Sequence, residues 1–321
     1  MIKVRACGIC GSDINRVYKT GTYHFPTIIG HEFAGEIVSV REDESNLSPV
    51  VGTRVGVFPL IPCKKCVNCE KERYEMCQNY NYLGSRTDGG FAEYVAVPRW
   101  NLIALEDSIT YEQAAMLEPS AVALHALKQF KDIGDKTLTI IGPGTIGNLL
   151  VLIAKSLGVN QIIVIGRNDE KLNISKSLGA DFIINMTKSN PTDTVKEITS
   201  SIGTDICIEG TGVSSCIELA ISVTRSAGEI VLMGNPQGDV EMEKNLYWQI
   251  LRRQLTIHGT WNSSFGSKND DWKEILNMMQ LGIFDPTVLI THRFLLSDLE
   301  FGLNIARDSN ILSNKIMINN D

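Results

Sequence analysis

From Thr137 onward, short apolar runs alternate with helix-period segments. The runs are Leu138–Ile141, Ile162–Ile165, Phe182–Ile184, Ile206–Glu209, Ile230–Met233 and Leu255–His258. Strands joined by helical crossovers of this length predict a parallel, doubly wound sheet that binds ligands at the carboxyl ends of its strands. Before Thr137 the pattern is β-rich. Met1–Ala6 reads as a strand entering a loop at Cys7, and Glu36–Val40 and Arg54–Phe58 read as strands separated by a turn at Pro49 and Gly52. Phe91–Val97 alternates after Gly89-Gly90, and Asn101–Leu105 follows. A helix period then starts at Thr110 and continues to about Phe130, with Pro119 at a helix start and Glu118 just before it. After Gly259 the rhythm ends. The tail holds helical runs near Asp271–Leu281 and Ser297–Ala306 and a last strand at Lys315–Ile318, with no internal repeat.

Composition narrows the class. The chain has 321 residues, 43% hydrophobic and 21% charged, which suits two soluble domains with their own cores. A formal net charge of −7 offers no field for a nucleic-acid backbone. No apolar run reaches the ~18 residues of a membrane span, and MIKVRACGIC lacks a signal-peptide core. The expectation is a cytoplasmic protein with neither a nucleic-acid nor a membrane partner. Eight cysteines in so long a chain do not suggest a disulfide framework. Cys7 and Cys10 form a C-x2-C pair, but Gly8 and Gly11 predict an irregular loop there, unlike a redox motif at a helix start. Cys7, Cys207 and Cys216 are expected to be packing thiols.

Three stretches carry chemistry. In Ala6–Glu32, Cys10 is followed by Ser12 and Asp13 and then by His31-Glu32, which are ligand types for a zinc ion that keeps one position open. Cys63, Cys66, Cys69 and Cys77 lie within fifteen residues, a spacing that closes around a structural zinc. Gly142-Pro143-Gly144-Thr145-Ile146-Gly147 follows a predicted strand and opens a helix, as a dinucleotide-binding turn does. Gly142, Gly144, Ile146 and Gly147 would then cradle the pyrophosphate at the helix amino terminus. The next strand ends Ile165-Gly166-Arg167, with Gly166 where NAD-binding folds usually carry an acid. Lacking that carboxylate and offering a guanidinium, the site favours NADP over NAD. The competing arrangement turns Arg167 to solvent and puts Asp169 on the ribose.

An open three-ligand site, a closed four-cysteine lobe and a nucleotide fold in this order resemble the zinc-dependent medium-chain alcohol and polyol dehydrogenases. The resemblance implies a GroES-like catalytic domain over 1–121 with its zinc lobe at 63–77, a Rossmann domain over 122–260, and a return to the first domain over 261–321. Family members carry some two dozen residues ahead of this start, so the catalytic domain is expected to lack its first strands, leaving exposed edges and a tendency to associate. Carried over residue by residue, Cys10, His31 and Glu32 match zinc ligands, and Glu118 a further carboxylate acting directly or through water. Ser12 matches the start of the proton relay, and Asp13 a partner that orients His31. The segments FPLIPCKKCVNC, LGSRTDGGFAEY and HGTW, ending at Trp261, are similar to members acting on polyol phosphates. Arg16, Lys19 and Arg86 are the candidate cations for a phosphate, and Trp261 a pocket residue. The family also implies a homodimer or homotetramer. Three readings follow: a polyol-phosphate dehydrogenase, a dehydrogenase of an uncharged polyol, diol or L-threonine, and an inactive zinc-stabilised nucleotide-binding protein.

Overall fold

The structure is a computed structural model describing residues 1–41, 47–236 and 238–320. The chain divides into two compact units, Met1–Ala121 with Ser263–Asp321, and Val122–Asn262.

In chain order the first unit holds β1 (Ile2–Ile9), α1 (Gly11–Asn15), β2 (Glu32–Ile37), β3 (Arg54–Val57), β4 (Leu60–Ile61), α2 (Val67–Glu70), β5 (Asn81–Tyr82), β6 (Tyr94–Val95), β7 (Leu102–Ala104) and α3 (Tyr111–Ala115). Helix α4 (Leu117–Leu127) then carries the chain onward. The second unit holds β8 (Thr137–Ile141), α5 (Thr145–Ser156), β9 (Gln161–Gly166), α6 (Asp169–Ser177), β10 (Phe182–Asn185), α7 (Pro191–Ile198), β11 (Thr204–Glu209), α8 (Ser214–Val223), β12 (Thr224–Leu232), α9 (Lys244–Arg253) and β13 (Thr256–Gly259). The first unit is completed by α10 (Asp271–Gln280), β14 (Ile290–Leu295), α11 (Leu299–Arg307) and β15 (Lys315–Asn319).

The first unit's main sheet runs β14-β15-β1-β2-β3-β7, with β6 also on β1. Its core is built from Val4, Cys7, Ile9, Phe33, Val55, Leu83, Ile316 and Ile318. β1 does not break at Cys7. It continues to Ile9 because Gly8 pairs Glu32 on one side and Met317 on the other, and ladder bonds on both edges outweigh the weak strand preference of glycine. The same pairing starts β2 at Glu32 instead of Glu36, so a candidate ligand lies within the sheet. Phe91 is buried but outside any strand, and its amide bonds Ile29 O at 3.0 Å. Only Tyr94–Val95 of the expected Phe91–Val97 strand pairs with β1. The helix from Thr110 is interrupted at Met116, and Glu118 lies inside the first turn of α4, not before it. β14 gave no clear signal, because its apolar residues Ile290, Phe294 and Leu295 do not alternate with the polar ones.

The second unit's sheet runs β10-β9-β8-β11-β12-β13, every neighbour pair parallel. Its central strands β8, β9 and β11 are almost wholly buried runs such as Ile162–Ile165, as expected when helices cover both faces. Among the described residues no helix is long and apolar enough to cross a membrane.

Candidate active site

β1 delivers Cys10 to the start of α1, where the Cys10 amide donates to Asp13 Oδ2 at 3.0 Å. Asp13 is fully buried, and its Oδ1 also receives Arg16 Nη1 at 3.1 Å and lies 3.3 Å from His31 Nδ1. Burial would raise the Asp13 carboxyl, but His31, the Cys10 amide and Arg16 together hold it below the usual range. Burial works against a charged His31, while Asp13 and Cys10 pull it upward. The His31 Nδ1 contact is an ion-pair distance without hydrogen-bond geometry, and it leaves the other ring nitrogen for Cys10 and a metal.

The ligand atoms of Cys10, His31 and Glu32 lie within 4.8 Å of one another. Glu118 is outside that trio. It is buried on α4, and its Oε1 accepts from the Tyr82 hydroxyl at 3.0 Å. Burial raises the Glu118 carboxyl; the His31 charge opposes this and the Glu32 charge reinforces it. Sequence reasoning missed Lys315. It is 2% exposed on β15 and donates to Glu32 Oε2 at 2.5 Å and to Ile9 O at 3.0 Å. Burial would lower its ammonium, yet Glu32 and Cys10 keep it above the usual lysine value. The only sequence signal was a lysine opening an otherwise apolar strand.

Counting charges tests whether a divalent ion fits. Asp13 is answered by Arg16, and Glu32 by Lys315. With a metal bound, His31 would be neutral and Cys10 a thiolate, which together with the Glu118 carboxylate would leave two negative charges in a largely buried place where unpaired charge is costly. A dication among these donors balances them, and thiolate, imidazole and carboxylate are zinc ligands. Ser12 Oγ donates to Cys10 Sγ at 3.4 Å and accepts from Arg16 Nη1 at 2.8 Å.

The ligand atoms of Cys63, Cys66, Cys69 and Cys77 also lie within 4.8 Å of one another. Backbone amides of Gln78 and Cys69 bring the Cys66 thiol down to about 6, whereas burial pushes Cys69 up to about 12. Four thiols so close resist joint ionisation without a cation, and the set fits a closed structural zinc. Cys7, Cys207 and Cys216 are buried, Cys7 in the first unit's core and the other two in the second unit's.

In the second unit, Gly142 has φ +111° and the turn 142–144 leads into α5 at Thr145. A Cβ on Gly147 would stand 1.9 Å from Gly142 O, so only glycine lets helix and turn meet. Ile146 is half-buried in the first turn of α5. Gly166 ends β9, and Arg167 is exposed with no polar partner among the described residues. The Asp169 carboxylate is engaged by Asn185 Nδ2 at 2.6 Å and by the Lys188 ammonium.

Of the candidate substrate residues, Arg16 touches Ser12 and Asp13 at the metal centre. Arg86 lies over the rings of both Tyr23 and Tyr80, 4.4 Å from each centroid. Lys19 sits in the short helical turn Arg16–Thr20. Trp261 is half-exposed and belongs to the second unit.

Residues 1–107 match the alcohol dehydrogenase GroES-like domain, and residues 145–280 the zinc-binding dehydrogenase family. The chain belongs to the zinc-dependent medium-chain alcohol and polyol dehydrogenases, NAD(P)-dependent oxidoreductases. It is 33% identical over 293 residues to galactitol 1-phosphate 5-dehydrogenase of Escherichia coli K12, covering 91% of this chain and 84% of that one. It is 28% identical to L-threonine 3-dehydrogenase of Photorhabdus laumondii, covering 100% and 92%. The crystal structure of galactitol-1-phosphate dehydrogenase from Escherichia coli superposes with a TM-score of 0.92 at 32% identity, covering 99% and 92%. A zinc-binding dehydrogenase of Sinorhizobium meliloti bound to NADP gives 0.87 at 27%, covering 99% and 91%. An alcohol dehydrogenase of Escherichia coli CFT073 complexed with NADH gives 0.90 at 28%, with the same coverage.

Proposed function

We propose that the protein transfers hydride between a secondary hydroxyl of a polyol phosphate and NADP(H). The observation that carries the dehydrogenase chemistry is the gathering of Cys10, His31 and Glu32 ligand atoms within 4.8 Å of one another, with the buried Glu118 carboxyl and a positioned Ser12 hydroxyl in the same unit. Cys10, His31 and Glu32 would hold the zinc, with Glu118 next to them as a ligand through water. When bound, the ion polarises a hydroxyl so that it loses its proton near neutral pH. Asp13 fixes the His31 ring. Arg16 holds Ser12 Oγ beside Cys10, and Ser12 would begin the relay by accepting the substrate's proton on its remaining lone pair and giving up its own hydrogen, which points at Cys10 Sγ in the resting site. The 33% identity to the galactitol 1-phosphate relative over 91% of this chain supports the phosphorylated substrate. An uncharged polyol or diol, or L-threonine, is the second reading, supported by the threonine relatives that span the whole chain.

NADP(H) is supported by three features of the second unit: no carboxylate at Gly166, an unpartnered Arg167, and an Asp169 already held by Asn185 and Lys188. That engagement weighs against Asp169 as the ribose ligand.

The test is a paired absorbance assay on zinc-loaded protein, comparing galactitol 1-phosphate with galactitol and NADP with NAD. A large preference for the phosphorylated compound is expected, whereas equal or better turnover of galactitol would replace this reading with a general polyol dehydrogenase. Arg167→Ala should raise KM for NADPH and spare NADH; equal effects on both would remove the cofactor assignment.

A further inference from the structure

The first unit holds an arginine whose setting the dehydrogenase chemistry does not explain. Tyr82 starts a turn in which the Arg86 amide donates to Tyr82 O at 2.9 Å. The Arg86 guanidinium lies over the rings of both Tyr23 and Tyr80, 4.4 Å from each centroid. Nη1 donates to Tyr80 O at 3.0 Å and Nη2 to the Tyr23 hydroxyl at 3.4 Å. The outer wall is pinned as well, because His24 Nε2 lies 3.1 Å from Arg86 O. A guanidinium carries five N–H groups, so three are left on its edge. No carboxylate pairs with it among the described residues. Among the described residues its charge meets two tyrosine rings and two neutral oxygens, and no anion.

This cation is connected to the metal centre by a run of rings. Tyr80 meets Tyr82 at 6.3 Å, and Tyr82 meets the His31 ring at 5.8 Å while donating to Glu118. It therefore stands two rings away from His31. Arg16 is the contrasting case. It touches Ser12 directly, and Asp13 already neutralises it.

We propose that the Tyr23–Arg86–Tyr80 clamp is the phosphate subsite, an inference that rests on the polyol-phosphate reading above. A phosphate monoester presents oxygens that match the free guanidinium edge through two parallel charge-assisted hydrogen bonds. The two ring contacts and two hydrogen bonds hold the guanidinium beforehand, so little side-chain freedom is lost on binding. A site reached from His31 through Tyr82 and Tyr80 is the arrangement needed by a substrate with its phosphate at one end and its reacting hydroxyl near the other, as the name galactitol 1-phosphate 5-dehydrogenase describes for the relative. Arg16 is then a positioning residue for Ser12, not a phosphate ligand.

The test measures KM and kcat for galactitol 1-phosphate and for galactitol in the wild type, Arg86→Gln, Arg86→Lys and Arg16→Gln, with a thermal melt of each. Arg86→Gln is expected to raise KM for the phosphorylated substrate by about ten-fold or more, the scale of a lost charge-assisted pair, while KM for galactitol moves far less. Arg86→Lys keeps the charge without the fork and should fall between. If Arg86→Gln fails to fold, Tyr23→Leu, which removes one wall and keeps the cation, should give the same selective KM rise with a smaller factor. A wild type with no preference for the phosphorylated compound overturns the polyol-phosphate reading and the subsite with it. A wild-type preference that survives Arg86→Gln, or vanishes only in Arg16→Gln, overturns the subsite alone. Equal losses on both substrates would make the clamp a brace for the loop around Tyr23, and would likewise overturn it.

Discussion

At Gly166 the missing side chain is a packing requirement as well as a choice of charge. A Cβ there would stand 2.6 Å from Pro143 Cγ and 2.7 Å from its Cδ, so the residue between the turn glycines occupies the space an acidic side chain would leave through. Gly166→Asp alone is therefore expected to raise KM for NADPH and NADH together, because the turn at Pro143 must shift. Gly166→Asp with Pro143→Ala should instead gain NADH use. A single Gly166→Asp variant that became NADH-selective would contradict this. The acidic position was legible in the sequence as a glycine before an arginine, but the reason it stays glycine was not, since Pro143 is distant along the chain. Lys315 teaches the same lesson. Spacing motifs pointed to Cys10, His31 and Glu32, while the charge that neutralises Glu32 comes from near the other end of the chain and belongs to no motif.

Among elements, the sheet of the second unit shows how one carboxylate joins three strands. Asp205 on β11 accepts from the Thr137 amide of β8 at 2.8 Å and from Arg225 Nε of β12 at 2.6 Å. Burial would raise its carboxyl, but these partners hold it below the usual range. A depressed folded value means that the stabilisation is complete above the unfolded carboxylate pKa and is lost as pH falls through the folded one. Asp205→Asn should thus cost about 1.5–3 kcal/mol at neutral pH, the usual worth of hydrogen bonds to a charged group. Its gap from wild type in urea unfolding should close in acid. A gap that stays constant across pH would show that the charge of Asp205 contributes nothing. The strands of this unit were readable because buried parallel strands are continuous apolar runs. In the first unit short strands were misplaced by several residues, as at β2 and β6, because their limits depend on partners such as β1 and not on local composition.

For the whole molecule, β13 is an edge of the parallel sheet, with Thr256, Ile257 and Gly259 exposed. Nearby in the chain, Trp248, Leu251 and Trp261 are also exposed. Edge strands are usually blunted by charge, proline or a cover, and Thr256–Gly259 has neither lysine nor proline. A second copy pairing along β13 is the expected cover. Light scattering coupled to size exclusion should report a dimer or larger, and Ile257→Lys, which places a charge on that edge, should shift it toward monomer. A wild-type monomer at micromolar concentration would contradict the pairing.

The sequence by itself determined the kinds of ligand, the closed cysteine lobe, the nucleotide turn and the doubly wound sheet, because each is written in local spacing or periodicity. Only the tertiary structure decided which charges meet. Lys315 reaches Glu32, Tyr82 reaches Glu118 and Tyr23 reaches Arg86 because sheet register and turns bring together residues remote in the chain, and at Glu32 and Glu118 the buried carboxyl requires a partner.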